Sequence, residues 1–121
     1  MADEQKELQA LSDDYQNLQT ELQSTVQARQ KLEAQEQENK GVQKEFTKLA
    51  DDAGIYKLVG PVLLKQDKVE ATMAVDGRLD YITKEIKRVE DQIAEIQKRS
   101  EEKKVEIMQI QARTQQSQVS S

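Results

Sequence analysis

Along the first third of the chain, apolar side chains return at alternating steps of three and four: Leu8, Leu11, Tyr15, Leu18 and Leu22. A repeat near 3.5 residues is the seam of a coiled coil and favours a left-handed supercoil. Continued in the same frame, the seam falls on Thr25, Arg29, Leu32, Glu36 and Asn39, so its middle is poorly apolar. The polar members Arg29, Glu36 and Asn39 read as residues that snorkel or fix register. Apolar spacing resumes at Val42, Phe46, Leu49 and Ala53, one position out of frame, which predicts a local phase slip between Arg29 and Asn39. No Pro interrupts this stretch and Gly41 is its one Gly, so a first helix is predicted over about 3–52. It closes at Asp51-Asp52-Ala53-Gly54, where the Gly is a stop signal. The Asp pair reads as part of a turn, because the further oxygen ligands and closing Glu of a calcium loop are missing.

The second half repeats the pattern more cleanly. Val75, Leu79, Ile82, Ile86, Val89, Ile93, Ile96, Ser100, Lys103, Ile107 and Ile110 keep spacings of four and three throughout. A second helix is predicted over about 69–117, starting somewhere between Val69 and Asp76, with Gly77 making that start irregular. Off the seam, Lys84, Glu85, Lys87, Arg88, Glu90 and Asp91 mix both signs, as a solvated face does. The Ser- and Gln-rich end from Thr114 to Ser121 predicts fraying.

Between the helices the period changes to two. Ile55 to Val59 and Val62 to Gln66 read as short strands around Gly60-Pro61, a hairpin over about 55–66. Pro61 belongs in the turn, since it has no N–H to give to a ladder. Both faces are largely apolar, through Ile55, Tyr56, Leu58, Val59, Val62, Leu63 and Leu64. A loosely packed connecting loop would be more polar than this. An isolated two-stranded hairpin is marginal in water, its open edges invite other strands, and nothing else in the chain offers a third strand. The hairpin is therefore expected to join strands of other subunits, making the protein an obligate oligomer.

The predicted fold is mainly α: a single domain over 1–121, a long antiparallel two-helix coiled coil with its helices joined by one β-hairpin. Each helix would run roughly 70 Å at 1.5 Å per residue. The hairpin would lie at one end and both termini at the other. At that terminal tip Leu8, Leu11 and Tyr15 would meet Val105, Ile107, Met108 and Ile110. Two readings stand side by side there. Exposed apolar residues with a flexible Met suit a binding site for varied partners; the same residues also suit zipping the coil shut.

Composition narrows the classes. Charged residues make up 34% and aromatics 3%, too few large apolar groups for an ordinary globular core but enough for a seam. Cys and His are both absent, which removes the commonest zinc ligands, disulfides and the usual general base. No phosphate-binding Gly loop or nucleophile–base pair is visible, so no enzyme, cofactor, metal or catalytic residue is expected. A net charge of −5 without a basic stripe argues against nucleic acid. No apolar run approaches the ~20 residues that span a bilayer. The opening MADEQKEL does not read as a leader, so a soluble cytosolic or nuclear protein is expected.

The segment LVGPVLLKQD, followed by GRLDYITKEIKRVEDQI, resembles the beta-type prefoldin subunits, and RQKLEAQ (Arg29 to Gln35) is similar to their first helix. The hairpin and RLDYI (Arg78 to Ile82) carry the resemblance most specifically. It implies a cytoplasmic hetero-hexamer of two alpha-type and four beta-type chains whose hairpins form a double β-barrel platform. Beta-type chains have one hairpin, as here. It also implies capture of non-native actin and tubulin at the coil tips and delivery to the cytosolic group II chaperonin without ATP. By position, Ile55–Val59 and Val62–Gln66 match the platform strands. Leu8, Leu11, Tyr15, Val105, Ile107, Met108 and Ile110 match the client-binding tip. The alternative function is a structural coiled-coil tether or scaffold that oligomerises through the hairpin.

Overall fold

The computed structural model describes residues 2–50 and 54–120; the Asp51-Asp52-Ala53 part of the expected turn lies outside the described residues. Two helices, α1 (Ala2–Lys48) and α2 (Lys68–Ser120), flank a hairpin of β1 (Ile55–Val59) and β2 (Val62–Gln66). The mainly α fold with a single hairpin is the one predicted. The chain divides into two compact units: a hairpin unit, Arg29–Arg88, and a terminal unit, Met1–Ala28 with Val89–Ser121.

In the hairpin unit the strands pair antiparallel, with Ile55 opposite Gln66 and Val59 opposite Val62. That register leaves a two-residue turn at Gly60-Pro61. Gly60 has φ +59°, a conformation that L side chains rarely adopt. Positive φ at the first turn position, followed by a Pro whose ring forbids it at the second, selects the II′ geometry that matches strand twist.

The first helix ends at Lys48, about four residues earlier than the pattern predicts. Its last turn tightens: the Leu49 amide donates to the Phe46 carbonyl at 3.2 Å, a three-residue step, and the Thr47 hydroxyl bonds back to the Lys44 carbonyl. The freed Leu49 carbonyl accepts from Lys68 Nζ at 2.7 Å. A cation in the first turn of α2 opposes that helix's dipole, but here it sits on the negative end of α1. The start of α2 is regular, contrary to expectation. The Asp67 carbonyl accepts the first helical bond, from Ala71, and Glu70 lies three residues on, the spacing of a capping box. Gly77 is absorbed without a break.

The predicted phase slip in α1 does not occur. Half-buried positions run Arg29, Leu32, Glu36, Asn39, Gln43 and Phe46, still in the original frame, and Val42 is exposed. Steps of four and three from Asn39 reach Gln43 and then Phe46, so the frame is unbroken, and at Gln43 the side-chain amide donates to Asp76 Oδ1 of α2 at 2.8 Å. A cross-helix hydrogen bond thus holds a place that an apolar residue was expected to take. The unit's core is Ala71, Val75 and Ile82 with Ile55 of β1.

In the terminal unit the two helices are antiparallel: Glu4 meets Thr114, while Asp14 meets Lys103. Leu11, Leu18, Val89, Ile96, Ser100 and Ile110 are buried, and Leu8, Tyr15, Leu22, Ile93 and Ile107 are half-buried. Burying one such aliphatic side chain is worth about 1.5–3 kcal/mol, so a seam suffices to hold two helices. α2 is continuous to Ser120. The Thr114 hydroxyl sits 3.2 Å from the Glu4 carboxylate and 3.0 Å from the Ile110 carbonyl, tying that turn to both helices.

Candidate functional site

Two surfaces were anticipated, and the structure treats them differently. On the hairpin, Tyr56, Leu58, Val59, Val62, Leu63 and Leu64 are 50–66% exposed, an unusual state for large apolar side chains this close together. Cross-strand pairing puts Leu58 beside Leu63, and Val59 beside Val62, on opposite faces of the ribbon. Among the described residues the sheet has two strands, β1 and β2, and no third strand pairs with either edge. Ile55 departs from this set. At 7% exposure it belongs to the unit's own core, at the base of a cavity of about 310 Å³ lined also by Val42, Phe46, Ala71 and Val75. The end of the ribbon nearest the helices is the one they can cover. Lys57 and Lys65 place one charge on each face, which restricts the strands that can stack there.

In the terminal unit, the anticipated residues split. Leu11 and Ile110 are closed into the seam, at 7% and 2% exposure, and Leu8, Tyr15 and Ile107 are half-buried. Val105 and Met108, off the seam, remain 44% and 59% exposed. Leu8, Gln111, Thr114 and Gln115 line an open groove of about 430 Å³. In the closed unit Val105, Met108 and this groove are accessible, while Leu11 and Ile110 lie within the helix pairing.

One exposed set was not anticipated. Val69, Met73 and Tyr81 stand off the seam of α2 in the hairpin unit. The available signal was that they are large, apolar and out of the three-four frame, with the first two one turn apart. Elsewhere the surface is charged in short-range pairs such as Lys84–Asp80 at 3.0 Å and Arg29–Glu33 at 2.7 Å. The Arg88 guanidinium donates to the Glu85 carboxylate at 2.9 Å, which holds the Glu85 pKa below its ordinary value and raises that of Arg88. Among the described residues no group of carboxylates is arranged to hold a metal ion, and no helix is long and apolar enough to cross a membrane.

A family model described as "Prefoldin subunit" matches residues 9–114. A Mus musculus protein named prefoldin subunit 6 is 44% identical over 114 residues, covering 94% of this chain and 90% of the relative. The Saccharomyces cerevisiae protein of the same name is 46% identical over 96 residues, covering 79% and 84%. Among solved structures, the prefoldin beta subunit of Thermococcus strain KS-1 superposes with a TM-score of 0.80 at 26% identity, over 85% of this chain and 90% of that one.

Proposed function

The chain belongs to the prefoldin subunit family and so has the role of a prefoldin chaperone subunit; we propose that it works in the cytoplasm, within a hexamer of alpha- and beta-type subunits, as part of an ATP-independent holdase. In this reading the hairpin is the assembly element. The paired helix termini capture non-native proteins, actin and tubulin among them, for delivery to the cytosolic group II chaperonin. The observation that carries it is the exposed hairpin: six large apolar side chains on a ribbon with two open edges, a surface that needs other chains to cover it. Held together by such a platform, several weak terminal sites act at high effective concentration, so no single site has to bind tightly.

The burial of Leu11 and Ile110 favours a second reading, a tether whose terminal residues only close the coil. The readings part on client capture. Purified hexamer containing this chain is mixed with chemically denatured actin and aggregation is followed by light scattering. Replacing Val105 and Met108 by Ser should weaken suppression several-fold with the complex mass unchanged. Adding Leu8→Ser, Leu11→Ser, Ile107→Ser and Ile110→Ser should abolish this chain's share of it. Undiminished suppression by an intact complex carrying all six changes would leave the tether reading standing.

A further inference from the structure

The two helices join the hairpin differently. α2 follows β2 after a single residue, Asp67, whose carbonyl accepts the first helical bond from the Ala71 amide at 2.9 Å. Strand and helix meet there with almost no free chain between them. α1 stops at Lys48, and residues 49–54 separate it from Ile55 of β1. A connection of that length has two soft dihedrals per residue and passes on no direction unless something ties its ends.

Packing ties the end of α1 only loosely. Phe46 is half-buried, and the space it shares with Ile55, Ala71, Ala74 and Val75 is an open cavity of about 310 Å³. Side chains bordering a void lose contacts on that side, and apolar attraction has no preferred direction. Hydrogen bonds do. Gln43 Nε2 donates to Asp76 Oδ1 at 2.8 Å, and Lys68 Nζ of α2 donates to the Leu49 carbonyl at 2.7 Å. The first contact is exposed and the second part-buried, so water competes less with the second. A cation at the start of α2 opposes that helix's dipole. Its reach to the carbonyl just beyond the negative end of α1 accounts for a Lys at this position.

We propose that Lys68 is a positioning residue, whose ammonium clasps the Leu49 carbonyl and fixes the direction in which α1 leaves the hairpin. The proposal rests on the reading that the hairpin is the assembly element and that the helix termini capture clients. On that reading a clasp beside the anchored end matters for capture, because tethered weak sites gain avidity only when their geometry lets them engage together.

It is tested in the full complex, co-expressed with its other subunits. The chain has no Cys. Lys44→Cys on α1 and Lys87→Cys on α2, both exposed, therefore carry one spin-label pair in complexes whose other subunits are cysteine-free. Lys68→Met keeps the stem and removes the donors, whereas Lys68→Arg keeps a cation. Lys68→Met should leave complex mass and helical content unchanged and broaden the label-to-label distance distribution. It should lower suppression of denatured-actin aggregation about twofold. Lys68→Arg should restore both readouts. If Lys68→Met loses helicity, Lys68→Gln is read in its place. A broad distribution with undiminished capture, weak capture with a narrow distribution, or wild-type behaviour in both would each overturn the proposal. A fall in complex mass would too, since Lys68 would then act on assembly. Leu63→Asp runs alongside: if it leaves the mass unchanged, the hairpin reading falls and the proposal with it. If it dissociates the complex while Lys68→Met behaves as wild type, the proposal alone falls.

Discussion

The two units place the same residue types in opposite ways. In the hairpin unit Leu58, Leu63 and Leu64 are more than half exposed; in the terminal unit Leu11, Ile96 and Ile110 are sealed. The difference follows from period. A strand alternates its side chains between two faces, and here the helices cover only the end at Ile55 and Gln66. A helix with apolar residues at steps of three and four gathers them on one side, where a second helix can close over all of them. Whether an apolar residue is available to a partner thus depends on how many covering surfaces its period demands. The hairpin has two apolar faces, and the helices cover only its end at Ile55 and Gln66.

The comparison breaks most visibly at Leu63. Leu63→Asp puts an unpaired carboxylate into the proposed dry interface, at a cost of about 3–5 kcal/mol, so assembly should weaken more than a hundredfold. Sedimentation of the complex should show the loss, while circular dichroism shows the helices retained. A complex of unchanged mass would mean that the exposed ribbon is not an interface. Ile110→Ala should give the converse profile. Truncating this sealed side chain should cost the terminal unit about 2–4 kcal/mol and leave assembly alone. Hydrogen exchange across the helix ends should then quicken about thirtyfold or more, with no change in the hairpin unit. Equal quickening in both units would show that they are not independent.

Legibility in the sequence follows the same division. The α2 seam was readable from Val75 to Ile110 because branched aliphatics fill nearly every position and carry the phase across Ser100 and Lys103. The hairpin was readable because Gly60-Pro61 punctuates a two-residue period. The α1 seam was misread between Asn39 and Phe46, where Val42 is apolar but Gln43 holds the frame. Phe46 itself falls in the original frame, seven residues after Asn39, and the hydrogen bond from Gln43 between them reaches Asp76, more than thirty residues away, which no local pattern records. The end of α1 was misplaced for a similar reason, since Lys68 reaches back to the Leu49 carbonyl. At the terminal surface the residue types were legible but their accessibility was not. Leu11 and Met108 look alike as apolar letters, and only seam phase separates the buried from the exposed.

A smaller effect is expected at Ser100, the one described buried side chain whose polar atom lacks a hydrogen-bond partner. An unpartnered buried hydroxyl costs about 1–3 kcal/mol, so Ser100→Ala should stabilise the terminal unit by about 1 kcal/mol and raise its melting temperature by a few degrees. The sign is what matters. A stabilised seam that also lowers client capture would show that the sealed residues act by opening. Unchanged capture would assign binding to Val105, Met108 and the groove beside Leu8. A lower melting temperature would mean that the hydroxyl finds a partner in the assembled complex.

The least effect should come from the best-formed charge pair. Arg88 lowers the pKa of Glu85, so the pair's contribution is present above the carboxyl's ordinary value of 4.5 and disappears as pH falls through the lowered folded value. Arg88 stands in solvent and Glu85 is partly exposed, so side-chain entropy and salt offset most of the attraction. Glu85→Gln should therefore leave the melting temperature within about a degree of wild type at pH 7. Whatever difference remains should favour wild type and vanish in acid or in 1 M salt. Thermal melts at pH 7 and pH 3, with and without salt, check both points. A difference of several degrees at pH 7 would mean that the charged surface shares in holding the helices together. It would then no longer be enough to explain both units by the number of surfaces their apolar residues require.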